Sequence, residues 1–399
     1  MSYNNYTTKI LGIKDVKIEK VEESYSCLKI YIKPTKKAAK CPCCGNKTNK
    51  IHDYRKQSIA DLPILGKETI LVLKKRRFIC KCGKKFLESY SFLPKYYRHT
   101  QRFMLKILEE LKQVVSFSDV AKRYNISVST AIRIFDIISY PAPKILPKIL
   151  SIDEFRGNTG KEKYQVILTD IENHRVIDIL PERFTHKLST YFKTKDRSNV
   201  KYFVSDMWKP YKEICESYFK NSKYITDRFH YTRLVVWAFE NVRKDEQKRL
   251  SKTYRQSFKR SKSLLIKHFD KLSREDQQAV NVLKKISYPL SVAHYLKEEF
   301  YKILSETNPK ETKKLLSQWI LQLQECELPQ FNACAQSFCN WSKSICNSIE
   351  YRYSNGFTEG CNNKIKVLKR NAYGYKNFKR FRNRILHIFS NQYADTQTV

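Results

Sequence analysis

A chain of 399 residues with 77 Lys and Arg against 39 Asp and Glu carries a formal charge of +38. That excludes an acidic protein and calls for a polyanionic partner, nucleic acid first. With 41% hydrophobic and 13% aromatic residues the chain is too rich in burial-seeking side chains to be disordered, and its length suits roughly two to four domains. The N-terminal MSYNNYTTKILGIKDVKIEK has no apolar leader segment, and no apolar run reaches the length of a membrane span. A soluble, cytoplasmic protein without a membrane partner is expected. Its twelve cysteines then read as metal ligands and free thiols and not as a disulfide framework.

From Ile18 to Lys95 the pattern is one of short strands and turns. Leu28, Ile30 and Ile32 alternate with Lys29, Tyr31 and Lys33, and ETILVLKKRRFIC is a second strand-like run. CPCCG lies between these runs and CKCGKKF follows the second. Cys41 and Cys44 have the CxxC spacing of a metal knuckle, and Cys80 and Cys82 supply a second pair. Four thiolates close a tetrahedral zinc site of the kind that holds a core-poor module together. The second pair is CxC, tighter than the usual CxxC, which leaves Cys43 or His52 as alternatives for one ligand.

The pattern turns helical at Thr100, with Phe103, Ile107 and Leu111 at helical spacing. In SFSDVAKRYNISVSTAIRIFDII, Ser118 and Asp119 are expected to cap a helix carrying Val120, Ala121 and Tyr124. Asn125 and Ile126 make a turn, and Ser127 caps a second helix that buries Val128, Ala131, Ile132 and Phe135. This is helix-turn-helix spacing. Ser129, Thr130 and Arg133 would face a major groove, with Lys122 and Arg123 on phosphates.

The proline-rich YPAPKILP ends this region. ILSIDEF, KYQVILTDI and RVIDIL follow as strands, HKLSTYF as a helix, VKYFVSD as a strand, YKEICESYF as a helix and KYITDRFH as a strand. The order βββαβαβ matches an RNase H-like core. Thr232 to Glu350 is almost all helix-like, and from Asn355 the chain forms one or two basic amphipathic helices. Asp153 and Asp206 sit at strand ends, where a side chain is delivered to a crevice, and Glu359 is placed to complete a set from a helix. Such carboxylates on rigid elements suit a pair of divalent cations about 3.5 to 4 Å apart. Asp170, Glu154 and Asp227 compete, each with a turn or capping role as the alternative.

Taken together, CPCCG, CKCGKKF, the helix-turn-helix, SIDEF, VSDMWKPY, TDRFH and GFTEGCNNKIKVLKRNAYGYKNFKRFRNRIL resemble the DDE transposases of bacterial insertion sequences, in particular the ISL3 family. The resemblance spans nearly the whole chain, and the last motif is its most specific part. It implies a multidomain α/β protein: a zinc-binding module (1–98), a helix-turn-helix (99–140) and an RNase H-like core (141–231 and 351–399) interrupted by an all-helical insertion (232–350). By the same resemblance the catalytic triad falls on Asp153, Asp206 and Glu359, holding two Mg²⁺ or Mn²⁺ ions, with one structural Zn²⁺ in the first module. Asp227 and His230 would lie near the active site, and Lys366, Lys369 and Arg370 would neutralise DNA phosphates. The implied activity is binding of an element's terminal inverted repeats, metal-dependent strand cleavage and strand transfer on double-stranded DNA, by a dimer or larger assembly at the nucleoid. A DNA-binding regulator without catalysis and an RNase H-like nuclease are the alternatives.

Overall fold

The computed structural model describes residues 11–159 and 162–390. The first ten residues, where the absence of a leader was read, lie outside the described residues. The chain divides into two compact units: one runs to Tyr140 and takes in Leu368–Gly374, and the other holds Pro141–Val367 and the chain from Tyr375.

The first unit is a sheet followed by three helices. Strands β1 (Val16–Glu23) and β2 (Cys27–Pro34) are followed by a short separate pair, β3 (Ala39–Lys40) and β4 (Lys47–Thr48), and then by β5 (Ile51–Ile64), β6 (Lys67–Ile79) and β7 (Lys85–Leu87); the main sheet has the order β1-β2-β6-β5, with β7 added to β6. β2 and β6 run parallel, and β5 and β6 form a long antiparallel hairpin. Its turn, Leu65–Gly66, has positive φ at both residues, the geometry that lets two strands turn back with their native twist. Short strands were expected here, yet β5 and β6 are 14 and 13 residues long. In the basic run that blurs the alternation of β6 only Lys74 is fully exposed, while Arg76 is buried and paired with Glu88; Ile59, Leu71 and Leu73 point into the core with Ile30 and Ile32.

Helices α1 (Gln101–Glu110), α2 (Phe117–Arg123) and α3 (Val128–Phe135) follow. The cap of α2 is Ser116, not Ser118: its hydroxyl accepts from the amide of Asp119, whose carboxylate accepts in return from the Ser116 amide. That reciprocal box satisfies two amide donors, which Ser118, already inside the helix, cannot do. Ser127 caps α3 as expected, and Asn125 makes the turn at φ 49°. The buried face of α3 is Ala131, Ile134 and Phe135, while Val128 is exposed and Ile132 half-buried. The helix is therefore rotated slightly from the expected face.

The second unit is built on a mixed sheet in the order β10-β9-β8-β11-β12. Strands β8 (Ile149–Thr159), β9 (Glu162–Asp170) and β10 (Arg175–Leu180) form an antiparallel meander. Helices α4 (Thr185–Lys193) and α5 (Lys209–Tyr218) then lead to β11 (Tyr202–Ser205) and β12 (Lys223–Thr226), which run parallel to β8. This is the succession βββαβαβ. Such runs as VILT and YFVS are continuous apolar strands because both faces of the sheet are covered.

A helical segment follows, from α6 (Arg228–Arg249) through α7 (Lys252–Arg260), α8 (Lys262–Ile266), α9 (Arg274–Ile286), α10 (Tyr288–Ser305) and α11 (Pro309–Glu325) to α12 (Asn332–Tyr351). It has its own core around Phe239, Phe300, Trp319 and Phe338. Helices α13 (Gly356–Asn371) and α14 (Phe378–Phe389) close the chain. Among the described residues no helix is long and apolar enough to cross a membrane.

Candidate functional site

Two acids emerge at the carboxyl ends of adjacent parallel strands, and a third lies on the strand beside them. Asp206 follows β11 directly, Asp227 follows β12, and Asp153 lies on β8 two residues beyond Ser151, where pairing with β11 stops. Asp153 was expected at a strand terminus. Instead β8 continues to Thr159 because β9 still pairs with it on the other side, so the crevice opens where the shorter parallel neighbour ends.

Asp206 accepts a hydrogen bond from Nε2 of His230 at 2.9 Å. Asp227 caps α6, taking the Phe229 amide on Oδ2 and the Asn355 amide on Oδ1. Ligand atoms of Asp206, Asp227 and His230 all lie within 4.8 Å of one another. Burial opposes a charge on His230, but the hydrogen bond and charge of Asp206 and the charge of Asp227 outweigh it and raise its pKa. Of the competing acids, Glu154 is paired with Arg183 at 2.8 Å and Asp170 accepts from the backbone and side chain of Asn173 in a turn.

Asp153 is pushed up to about 7, first by burial and then by the Asp206 carboxylate, against a hydrogen bond from the Glu154 amide. An acid raised by its acidic neighbours is short of positive charge, which a hard divalent cation with oxygen ligands supplies. Asp206, Asp227 and His230 come close enough together to hold such an ion, while Asp153 stands outside that group. Its Oδ2 accepts from Nδ2 of Asn362 at 2.8 Å. Asn362 is buried and turned onto the sheet. Glu359, one turn earlier on α13, is exposed and stands outside the Asp206 cluster. Its neighbour Thr358 is fully buried and shares hydrogen bonds with Ser151 and Thr169 at 2.9 and 2.7 Å. Sequence reasoning missed this anchoring of α13. The small polar residues Ser151 and Thr169 inside otherwise apolar strands were its available signal.

In the first unit the Sγ atoms of Cys41, Cys44, Cys80 and Cys82 come together within 4.8 Å. Cys41 and Cys82 are 3.7 Å apart and Cys44 and Cys80 3.5 Å, close to the sulfur spacing of a tetrahedron with zinc-sulfur bonds of about 2.3 Å. Each pair sits on a tight turn: the Gly45 amide donates to the Cys41 carbonyl and the Gly83 amide to that of Cys80, and both glycines have positive φ. Amides, first that of Cys44, lower Cys41 to about 7. At Cys44 the Asn46 amide favours the thiolate, but the Cys80 and Cys82 sulfurs push it up to about 12. Sulfurs that cannot all ionise together suit a cation at their centre. Cys43 is exposed and outside the group, and His52 is paired with Asp53 at 3.0 Å.

Lys122, Ser129 and Arg133 are exposed and Thr130 half-buried, with Arg133 donating to the Thr130 hydroxyl at 3.1 Å. Arg123 is exposed but ion-paired with Glu110. On α13, Lys366 and Arg370 are exposed and Lys369 is half-buried.

Comparison with known proteins identifies the family. Residues 150–385 match the DDE family profile described as Transposase, residues 37–82 the zinc-finger of transposase IS204/IS1001/IS1096/IS1165, and residues 88–137 the helix-turn-helix domain of transposase family ISL3. The chain belongs to the ISL3 family of DDE transposases and is a DNA-binding enzyme. It is 26% identical over 380 residues to the transposase for insertion sequence element IS1001 of Bordetella parapertussis, covering 92% of each chain. A shorter match, 35% identical over 108 residues, is to an ATP-dependent protease of Lactococcus lactis subsp. lactis, and covers 27% of this chain and 33% of that protein.

Proposed function

We propose that this transposase binds the terminal inverted repeats of an insertion sequence through its zinc ribbon and helix-turn-helix, and cuts and joins DNA strands with Asp153, Asp206 and Glu359. The observation that carries this reading is the acidic crevice where β11 and β12 end beside β8, with α13 tied to Asp153 through Asn362. The three acids would hold two Mg²⁺ or Mn²⁺ ions. When bound, these supply Lewis acidity and a water of lowered pKa for in-line attack on a phosphate.

The chain's own residues position the site. His230 orients the Asp206 carboxylate, Asp227 joins the start of α6 to the approach to α13, and Asn362 fixes one oxygen of Asp153. Lys366, Lys369 and Arg370 would neutralise backbone phosphates beside the cut. Ser129, Thr130 and Arg133 would read a major groove, with Lys122 and Arg123 on phosphates. Cys41, Cys44, Cys80 and Cys82 would bind one structural zinc.

The meander extended by two parallel strands supports an RNase H-like core (141–231 and 351–399), with 232–350 as a helical insertion, 1–98 as the zinc module and 99–140 as the helix-turn-helix. Joining two element ends requires a dimer or larger assembly on DNA, in the cytoplasm at the nucleoid.

The test is cleavage and joining of labelled DNA carrying the element's end, by wild type and Glu359→Gln with Mg²⁺ or Mn²⁺. Metal-dependent cutting that the substitution abolishes, with binding retained, is expected. Tight binding without cutting by wild type under either metal would instead support a regulator.

A further inference from the structure

The exposed face of α6 carries an aromatic stripe that the fold does not use. Its core face, Tyr231, Val235, Ala238, Phe239 and Val242, is buried in the helical segment. On another face, at i, i+4 and i+8, stand Phe229, Arg233 and Trp237, which share one side of a helix. Phe229 is 58% exposed and Trp237 53%. The Arg233 guanidinium lies between their rings, 5.5 Å from Phe229 and 4.6 Å from Trp237. Its Nε is buried without a hydrogen-bond partner, and among the described residues no carboxylate pairs with it. The stripe begins beside the acidic crevice: the Phe229 ring meets His230 edge-on at 5.8 Å, and His230 bonds Asp206.

Two large aromatic rings left in water forgo burial worth keeping, so the face is suited to an occupant. An apolar protein surface would bury Arg233 without a counter-charge, at a cost. A nucleic acid answers every group: bases lie flat on the rings, and phosphate or base oxygens accept from the guanidinium. The charge of +38 favours the same class of partner. In duplex DNA the base faces are hidden by stacking, so only unpaired bases can lie against a ring.

We propose that Phe229, Arg233 and Trp237 form a stacking surface for unpaired nucleobases at the DNA end handled by the neighbouring carboxylates. It rests on the assignment of those carboxylates to the reaction. The stripe gives the open end a docking place beside the crevice, independent of base sequence.

The test uses the full chain and two probes: a blunt duplex, and the same duplex with a short single-stranded tail carrying a fluorescent adenine analogue. Wild type is expected to bind the tailed duplex about tenfold more tightly, since each stacked base contributes on that order, and to change the analogue's fluorescence. Trp237→Leu keeps the apolar bulk but removes the ring. It is expected to abolish both the preference and the fluorescence change while binding blunt duplex like wild type. Trp237→Tyr is expected to restore most of the preference, and Phe229→Leu to weaken it. Equal binding of the two probes by wild type overturns the proposal. So does an equal loss on both probes in Trp237→Leu, which assigns the stripe a supporting role. A change in oligomeric mass with the tail preference intact assigns it to a protein interface. Wild type that shows the preference but does not cut DNA under Mg²⁺ or Mn²⁺ sinks the catalytic reading and leaves the stacking surface standing.

Discussion

Asn362 shows how much a single neutral side chain does in a site of acids. It donates to Asp153 from inside the protein, so it sets that carboxylate's orientation without adding charge. Asn362→Ala is expected to lower metal-dependent cleavage about 10- to 100-fold, the usual effect of losing a partner that orients a metal-binding group, and to leave duplex affinity unchanged. Loss of duplex binding in parallel would contradict this role. His294 is a second telling residue. Its side chain is 3% exposed, its Nε2 has no hydrogen-bond partner, and the nearest acid, Oε1 of Glu298, is 3.6 Å away, too far for a hydrogen bond. Burial first, then the charges of Lys297 and Lys284, hold it down to about 3. The folded protein keeps it neutral while the unfolded chain protonates it near 6.5. It therefore costs nothing above about pH 6.5, and costs up to about 1.4 kcal/mol per unit as pH falls from there toward about 3. Denaturant unfolding at about pH 7.5 and about pH 5 should show wild type losing more stability than His294→Leu. Equal losses would show that the imidazole is not the source.

At the scale of elements, the start of α13 is clasped to the sheet by buried hydroxyls. Thr358 shares hydrogen bonds with Ser151 on β8 and Thr169 on β9, Ser151 donates to Asn355, and the Asn355 amide donates to Asp227. These bonds thus link two strands and the cap of α6 to the helix that carries Glu359. Thr358→Val keeps the shape but leaves the partner hydroxyls short of a bond, at about 1 to 3 kcal/mol. A lower melting temperature and slower cleavage are expected, with Thr358→Ser restoring both. A Thr358→Val protein as stable and active as wild type would show that these bonds do not hold the helix in place. The capping of α2 is a smaller case of the same logic. Ser116 and Asp119 lie three apart, as a capping box requires, and this spacing could have been read in advance. The rotation of α3 could not, because amphipathic patterns a few residues long admit more than one buried face.

For the whole molecule, the surplus of positive charge predicts DNA affinity that falls steeply with salt, by a slope that counts neutralised phosphates. Lys122 is exposed, whereas Arg123 is paired with Glu110. Lys122→Ala is therefore expected to reduce the slope of log affinity against log salt by about one, and Arg123→Ala to reduce it by less. Salt titrations of duplex binding measure both, and a larger effect from Arg123 would reverse the assignment.

Local pattern was enough for much of this protein. The paired cysteines, the caps and apolar spacing of the helices, and the alternation of apolar strands with helices are all set by neighbours a few residues apart. The succession βββαβαβ, the segment of helices and the cysteine cluster could be read from them. The tertiary structure decided what depends on residues far apart in the chain. It brought Asp227 and His230 onto Asp206 because β11 and β12 end side by side. It extended β8 past Asp153 because β9 pairs where β11 has stopped, and it turned Asn362 inward because Thr358 anchors its helix. Strand register, helix rotation and the burial of a polar side chain are settled by the partner across the contact, and that partner is not written in the local pattern.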